Sequence, residues 1–386
     1  MVSELVSRPQ HATEAGTRRY VERHGEGKAA DAFSTIGKLA LSSIGIGTYL
    51  GKPDDATDAA YVEAIVEAVR QGINVIDTAS NYRQRRSERV VGEALRRLFA
   101  LGEVYRSEVF LVSKAGFVPM DRGRPDDPLA FFRGRTIGRG LAREDELRCG
   151  CHCIAPGYLR ATLEESLHEL GVPTIDAYLL HNPESQLQEV DRPSFLDRMR
   201  RAFEAMERAA DDGLLRAYGV STWPGLRAMR QDRDYLSLRE LWQLAEDVGG
   251  PKHRFRAVEA PLNLHQPEAH ALANQDLASG DGTLLGVARE LGMVVLASAA
   301  LAQGRLVQHD GPQASLPLGH DAPDGVDARV HGALLFARSA PGVTSALVGM
   351  SNVQHVRENT RSLAAPRAPL TWLQSVAAPK GAAIAR

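Results

Sequence analysis

The sequence predicts a (β/α)8 barrel with loop insertions, an α/β fold in which eight parallel strands close on themselves. Apolar segments of strand length alternate with helices whose apolar residues recur at helical spacing, mostly through short connections. Counted from Leu41, eight such strands occur over roughly 320 residues, a typical length for this barrel. A doubly wound open sheet is the alternative. Residues 45–51, GIGTYLG, disfavour it because they lack the third glycine of the usual phosphate loop and a helix directly behind it.

Composition excludes several classes of protein. The 386 residues are 44% hydrophobic and 24% charged, with a formal net charge of -2. This charge argues against a nucleic-acid partner, which leaves a basic footprint. No apolar run approaches the roughly 18 residues of a membrane span, and the N-terminus has no apolar signal-peptide core. Three cysteines make no disulfide framework, which is typical of a reducing compartment. We therefore expect a cytoplasmic protein, and the lack of a long apolar run predicts no membrane partner.

Three parts are expected along the chain. Residues 1–33 are polar and aperiodic, and are predicted to be a mobile tail or a loosely docked extension. Residues 34–365 form the barrel. Within it, residues 119–157 are rich in Pro, Gly, Arg and Asp and are predicted to be a long loop or insertion. Residues 366–386 form a C-terminal tail.

The first barrel elements follow from short patterns. Residues 39–46 indicate a small hairpin that leads into the first strand. Asp58 is the expected N-cap of a helix that ends at Gly72. The strand 74–78 follows, and the next helix is expected to begin near Ser87 as its N-cap, with an acid in its first turn.

The later elements continue the alternation. An apolar strand begins at Val109 and ends at Lys114. The remaining predicted strands are 175–181, 216–221, 256–263, 293–298 and 343–349. The remaining predicted helical regions are 158–170, 194–212, 224–250, 281–292, 330–340 and 352–363.

Four ionisable residues fall at or just after neighbouring strand ends. Asp77, Lys114 and His181 end three successive strands, and Tyr82 lies in the loop after the first of these. Taken separately, they could form a buried salt bridge and a hydrogen bond at the rim. Active sites of this barrel lie at the C-terminal ends of the strands. Four groups that converge there favour a catalytic site.

Such a set can donate a proton to a carbonyl oxygen. A free tyrosine has a pKa of about 10, and a nearby cation such as Lys114 lowers it. Asp77 can hold Lys114 in place, while His181 can orient the substrate carbonyl. Since none of these groups can reduce carbon, a hydride-donating cofactor is required.

Residues 77–82 (DTASNY) and 87–95 (SERVVGEAL) resemble the aldo-keto reductase signature. Other matches, in the family's order, are 112–114 (VSK), 176–181 (DAYLLH), 219–221 (GVS), 302–306 (AQGRL) and 347–359 (LVGMSNVQHVREN). The resemblance covers about residues 34–365. It implies a barrel that binds NAD(P)H in extended form without a Rossmann domain, with Tyr82 as proton donor.

The resemblance also implies a set of cofactor-binding residues, with some departures. Glu259 stands where a glutamine usually meets the nicotinamide amide, and Ser298 where an aromatic residue often stacks on the ring. His355 stands where an arginine often meets the 2′-phosphate, so NADP is expected and NAD is possible. The helix N-terminus after Ser351 suits a phosphate. The other residues implied are Ser221 near the nicotinamide amide, Gly304 near the pyrophosphate, and Glu358 and Asn359 with Ser351 near the adenosine end.

Two further clusters have competing interpretations. Residues 149–153 (CGCHC) invite a metal site or a reactive thiol, but adjacent C-x-C pairs alone are poor tetrahedral chelates. A plain loop is favoured and no metal is expected. Arg83, Arg85 and Arg86 adjoin Tyr82; they form either a solvated loop or a site that prefers anionic substrates.

The sequence therefore predicts an NAD(P)H-dependent oxidoreductase that acts on a small carbonyl or alcohol. A cofactor-binding regulatory protein with little turnover is the first alternative. A lyase or isomerase that uses Lys114 as a Schiff base is the second.

Overall fold

The computed structural model describes residues 9–307, except 122 and 124, and residues 322–377. Eight parallel strands close into a barrel in chain order, and the last strand pairs with the first. The predicted (β/α)8 fold is therefore confirmed. The strands are β1 (Ile44–Gly47), β2 (Val75–Asp77), β3 (Phe110–Ala115), β4 (Ile175–His181), β5 (Leu215–Ser221), β6 (Phe255–Pro261), β7 (Val294–Ser298) and β8 (Ser345–Gly349).

Helices surround the barrel. Most lie within a few residues of their predicted bounds, but the region predicted at 224–250 is helical chiefly in its second half. The helices that follow the strands are Asp55–Arg70, Arg86–Ala100, Pro156–Leu170, Arg192–Asp211, Leu238–Gly249, Leu284–Glu290, Ala328–Ser339 and Val353–Arg361.

The first of these helices begins earlier than predicted. Its N-cap is Asp54, whose carboxylate accepts a hydrogen bond from the Thr57 N–H at 2.8 Å. Asp58 lies inside the first turn and pairs with Arg83, so it is not free to cap. Two consecutive acidic residues precede Thr57, and the sequence alone does not show which aspartate caps the N-terminus of the helix.

Apolar side chains fill the interior of the barrel below its C-terminal end. They come from alternate positions of the strands, as expected when one face of each strand points inward. Above this layer the inward positions become polar. The interior cluster contains Val75, Phe110, Val112, Ala177, Leu179, Ala257, Val294, Leu296 and Leu347.

The N-terminal end of the barrel is covered by the segment that is predicted to be a mobile tail or a loosely docked extension. It contains the helix Glu14–His24, and a hairpin follows it (Phe33–Ile36 and Leu39–Ser42). Tyr20 is fully buried and donates a hydrogen bond to the Val69 carbonyl at 2.5 Å. The segment is thus packed against the barrel from Ala12 onward, whereas residues 9 and 10 are exposed. Residues 1–8 lie outside the described part.

The predicted insertion has structure of its own. It contains the helix Pro128–Thr136 and a two-stranded pair, Leu147–Arg148 with His152–Cys153. A small apolar cluster attaches it to the barrel. It is therefore a folded insertion rather than an irregular loop. The cluster includes Val118, Cys153, Ala155 and Tyr158.

The C-terminal segment also lies at the lower end of the barrel. The Arg367 guanidinium donates to the Val343 carbonyl at 3.2 Å, just before β8, and its backbone N–H donates to Asp31 at 2.9 Å. The helix Leu370–Ala377 follows. Residues 378–386 lie outside the described part. Within the described residues, we find no helix with the length and apolarity that a membrane crossing requires.

Candidate active site

The structure brings the four predicted catalytic residues together at the C-terminal mouth. Asp77 ends β2, Lys114 lies in β3, His181 ends β4 and Tyr82 lies in the loop after β2. Lys114 Nζ lies 2.5 Å from Asp77 Oδ1 and 3.3 Å from the Tyr82 hydroxyl. The rings of Tyr82 and His181 meet edge to face, with centroids 5.6 Å apart. Parallel strands that end at the same edge produce this convergence.

Lys114 is fully buried and has two acidic neighbours rather than one. Besides Asp77, its ammonium contacts Glu259 Oε2 at 3.1 Å and the Thr78 carbonyl at 3.2 Å. Burial alone would lower the pKa of Lys114, but the two carboxylates raise it well above its ordinary value. Lys114 is therefore a permanent cation beneath Tyr82.

The Tyr82 phenol is held in its protonated form. Burial raises its pKa well above the ordinary value, and Asp77 and Glu259 raise it further. Lys114 lowers the pKa, as the sequence suggested, but its effect is smaller than that of burial. The effect of Lys114 therefore has the expected direction, but burial makes the net change in the pKa an increase. A protonated phenol is the form that can donate a proton.

His181 is a neutral imidazole. Burial lowers its pKa well below the ordinary value, and Lys114 and His152 add to this effect. Its Nδ1 atom is buried without a hydrogen-bond partner in the described part of the chain. A neutral imidazole can donate from one ring nitrogen, and the His181 side chain lines the same cavity as Tyr82.

The insertion supports His181 from behind. His152 Nε2 donates a hydrogen bond to the His181 carbonyl at 2.8 Å, and Gln186 donates to His152 Nδ1 at 3.2 Å. Gly116 makes this approach possible, because a Cβ there would lie 2.6 Å from the His181 carbonyl oxygen. Burial lowers the pKa of His152 to about 4, so it is neutral. Sequence reasoning considered His152 only as a metal ligand and missed this role.

The three arginines after Tyr82 point away from the mouth. Arg83 donates to the Lys52 carbonyl at 2.8 Å, Arg85 pairs with Glu165 at 2.8 Å, and Arg86 pairs with acidic residues of the helix after β1. Arg83 and Arg85 are buried. None of the three lines the cavity described next. The contacts therefore explain these arginines as structural partners and do not support the anionic-substrate hypothesis.

A cavity of about 920 Å³ opens at the C-terminal mouth. Asp77, Tyr82 and His181 line one part of it, while Lys114 lies beneath its floor. All the residues predicted to bind a cofactor line the same cavity. They are Ser221, Glu259, Ser298, Gly304, Ser351, His355, Glu358 and Asn359.

The outer wall of the cavity contains aromatic side chains that sequence reasoning missed. Tyr49 follows β1, Phe117 follows β3 and Trp223 follows β5. The backbone N–H of Trp223 donates to the buried Glu184 carboxylate at 2.7 Å, which fixes the loop. Each of these aromatic residues lies shortly after the end of a predicted strand. That position in the sequence was the signal that they line the mouth of the barrel.

The cysteine cluster is not part of this cavity. Cys149 is exposed, Cys151 is half-buried and Cys153 is buried. Burial raises the pKa of all three thiols, to about 12 for Cys153. The described residues contain no group of three or more His, Cys, Asp or Glu side chains arranged to hold a metal ion. Raised pKa values also disfavour a reactive thiolate.

The fold and the mouth define a (β/α)8 barrel with a ligand-sized cavity at the C-terminal ends of its strands. More specifically, the chain belongs to the aldo/keto reductase family, whose family model matches residues 43–322. The resemblance noted in the sequence is therefore confirmed.

Two curated relatives illustrate the range of the family. The NADH-specific methylglyoxal reductase of Escherichia coli (strain K12) is 29% identical over 188 residues, which are 47% of this chain and 49% of the relative. Estradiol 17 beta-dehydrogenase 5 of Mus musculus is 26% identical over 275 residues, 68% of this chain and 64% of the relative. The chain thus spans 49% and 64% of the length of these two relatives.

Solved structures agree with the fold. An aldo/keto reductase from Klebsiella pneumoniae, in complex with NADP and acetate, has a TM-score of 0.59 at 22% identity and covers 91% of this chain and 97% of its own. A glycerol dehydrogenase from Gluconobacter oxydans has a TM-score of 0.58 at 20% identity, with 90% and 94% covered. At these identities the likeness establishes the barrel alone.

Proposed function

We propose that this protein is an NAD(P)H-dependent oxidoreductase that reduces the carbonyl group of a small molecule to an alcohol, or catalyses the reverse reaction. The observation that carries the proposal is the position of Lys114 Nζ, which lies between Asp77 at 2.5 Å and the Tyr82 hydroxyl at 3.3 Å. The family and the reductase names of its relatives support it.

Each residue of the site has a distinct part in this proposal. Tyr82 donates its phenolic proton to the carbonyl oxygen as that oxygen becomes an alkoxide. Lys114 stabilises the resulting phenolate, and Asp77 keeps Lys114 charged and in position. His181 donates a hydrogen bond that orients the carbonyl. The hydrogen bond from His152 of the insertion fixes the position of His181, so that the His181 imidazole does not need to move before it binds the carbonyl.

The same cavity fits a nicotinamide coenzyme. It extends from Tyr82 to the N-terminus of the helix Val353–Arg361, where backbone N–H groups suit a phosphate. When bound, the coenzyme supplies the hydride that the side chains lack. NADP is the expected coenzyme and NAD is possible, since related structures contain NADP or NADPH and one relative is named NADH-specific. The proposed contacts are Ser221, Glu259, Ser298, Gly304, Ser351, His355, Glu358 and Asn359.

The alternatives fit less well. A Schiff-base lyase or isomerase needs a neutral, accessible lysine. Lys114 is fully buried, and its two carboxylates raise its pKa, so it is neither. A regulatory protein on the same barrel would bind the coenzyme without turnover. Measurements of turnover therefore distinguish a regulatory protein from an enzyme.

The test combines coenzyme binding with turnover. Calorimetric titration with NADPH and NADH measures binding, and a panel of aldehydes and ketones measures turnover. Tyr82→Phe is expected to lower kcat by about 10²–10⁴-fold, the usual contribution of a general acid, without changing the Kd of the coenzyme.

A matched control keeps this result specific. Tyr235 is another buried tyrosine, whose hydroxyl donates to the Asn274 carbonyl at 2.8 Å, outside the cavity. Tyr235→Phe should keep normal turnover. Binding without turnover in the wild type would favour a regulatory protein, and absence of binding to either coenzyme would refute the proposal.

A further inference from the structure

The most unusual feature of the site is its second carboxyl group. Glu259 on β6 contacts Lys114 at 3.1 Å from the side of the barrel opposite Asp77 on β2. The carboxyl groups of Asp77 and Glu259 are both buried, with about 4% of each residue exposed. They approach the same ammonium and are therefore neighbours of each other. The usual glutamine at position 259 would add no charge there.

The charges around this pair do not balance if both acids are ionised. The other groups that face it are Lys114 from β3, Tyr82 from the loop after β2 and His181 from β4. Tyr82 is protonated and His181 is neutral, so Lys114 is the only cation among these groups. One uncompensated negative charge would remain buried, at a cost of several kcal/mol. Two carboxylates in one site avoid this cost when one of them keeps a proton.

We propose that Asp77 and Glu259 share one proton from neutral pH up to about pH 9, and that the protein releases it when an oxidised nicotinamide binds beside Glu259. This inference rests on the proposed function, which places the nicotinamide ring at Glu259. The pKa of Asp77 supports it: burial, and then the Glu259 carboxylate, raise that pKa well above its ordinary value against the effect of Lys114.

The proton balance is simple. Without coenzyme, one carboxylic acid, one carboxylate and one ammonium sum to zero charge. The oxidised ring carries a positive charge, which stabilises the second carboxylate. The carboxylic O–H bond breaks and the proton leaves through the cavity to solvent. The reduced ring is neutral and leaves the shared proton in place. Binding of the oxidised coenzyme should therefore tighten as the pH rises, whereas binding of the reduced coenzyme should not.

Infrared spectroscopy of the coenzyme-free protein tests the shared proton directly, through the C=O stretch of a protonated carboxyl group. Two other buried acids, Glu88 and Glu184, have pKa values raised to about 7 by burial. Spectra are therefore recorded near pH 9, about two units above those pKa values, where both are ionised. Glu88→Gln is the matched control outside the site.

The band should be present in the wild type and in Glu88→Gln, and absent from Glu259→Gln and Asp77→Asn. Two site variants are used so that the test still gives an answer if one of them does not fold. Absence of the band in the wild type, or its survival in both site variants, would show that the two carboxyl groups share no proton.

Calorimetry tests the release. Titrating NADP⁺ in buffers of different ionisation enthalpy should reveal nearly one proton released by the wild type and none by Glu259→Gln. NADPH should release none. The Kd for NADP⁺ should then fall up to tenfold per pH unit. Binding of NADP⁺ without proton release would refute this step. If no nicotinamide coenzyme binds, the proposed function and the release fail together, while the infrared band still decides the protonation of the pair.

Discussion

At the scale of single residues, Glu88 differs most from its expected role. The sequence suggests only an acid in the first turn of a helix, where it favours the helix dipole. In the structure only 1% of Glu88 is exposed, and its carboxyl group accepts a hydrogen bond from the Ser113 hydroxyl at 2.6 Å. Burial raises its pKa to about 7 despite this bond. Glu88 therefore packs directly behind the strand that carries Lys114.

This burial makes stability depend on pH. The folded pKa of Glu88 exceeds its unfolded value, so its contribution is complete below about pH 4.5 and is lost as the pH rises through about 7. Over this range we expect the wild type to lose up to about 3 kcal/mol more than Glu88→Gln. Urea denaturation at a series of pH values measures the difference.

The exposed Glu22→Gln is the control and should follow the wild-type curve. If Glu88→Gln follows that curve as well, the carboxyl group of Glu88 is already ionised in the folded protein at low pH, and our assignment of its pKa is incorrect.

At the scale of elements, the loop after β2 determines where Tyr82 lies. Arg83, Gln84 and Arg85 have φ angles of 47°, 57° and 68°, three left-handed residues in succession. Ion pairs with partly exposed carboxylates hold the two buried arginines on either side of Gln84. Ser87 was predicted to cap the next helix. It instead donates to the Thr48 carbonyl at 2.7 Å and ties the loop to β1.

Gln84 provides a test of this loop, because its side chain makes no hydrogen bond with the residues that the structure describes, and none therefore complicates the comparison of Gln84→Gly with Gln84→Val. Left-handed geometry costs an L-residue about 1–2 kcal/mol, and glycine avoids this cost. We expect Gln84→Val to be less stable than Gln84→Gly by about that amount, as measured by guanidinium denaturation. Equal stability of the two variants would mean that the loop can adopt another conformation.

At the scale of the whole molecule, one end of the barrel holds the cavity and the opposite end is closed by packed segments. The C-terminal end holds the cavity, while residues 12–42 and 363–373 close the other end. The N-terminal helix is mostly polar, and Tyr20 is its principal apolar anchor. Stability and binding should therefore respond differently to changes at Tyr20.

Tyr20 can be altered in two steps. Tyr20→Phe removes the hydrogen bond to the Val69 carbonyl and should cost about 1 kcal/mol. Tyr20→Ala also empties the pocket and should cost about 3–5 kcal/mol. Thermal unfolding gives both values. Coenzyme affinity of the folded variants should stay at the wild-type level, and weaker binding would show that the two ends are coupled.

The barrel and the polar residues at its C-terminal rim could be predicted from the sequence, because both follow from patterns of residues that are close together along the chain. Strand periodicity placed Asp77 and Lys114 at adjacent strand ends, and their contact followed from the fold. Glu259 meets Lys114 across the barrel, and no spacing along the chain indicates that contact. The N-terminal helix was missed because a helix anchored by one buried tyrosine has little apolar periodicity. Its packing is decided by partners distant in sequence, such as Glu108.

The position of Trp223 has an optical consequence. The chain contains three tryptophans, and Trp223 stands on the cavity wall with 39% of its surface exposed. Trp242 packs against His253, with ring centroids 4.5 Å apart, and Trp372 belongs to the helix Leu370–Ala377 at the closed end. A molecule that enters the cavity replaces water around one indole and leaves the other two in their surroundings. The intrinsic ultraviolet emission of this protein therefore carries a built-in, unlabelled signal of whether its cavity is filled.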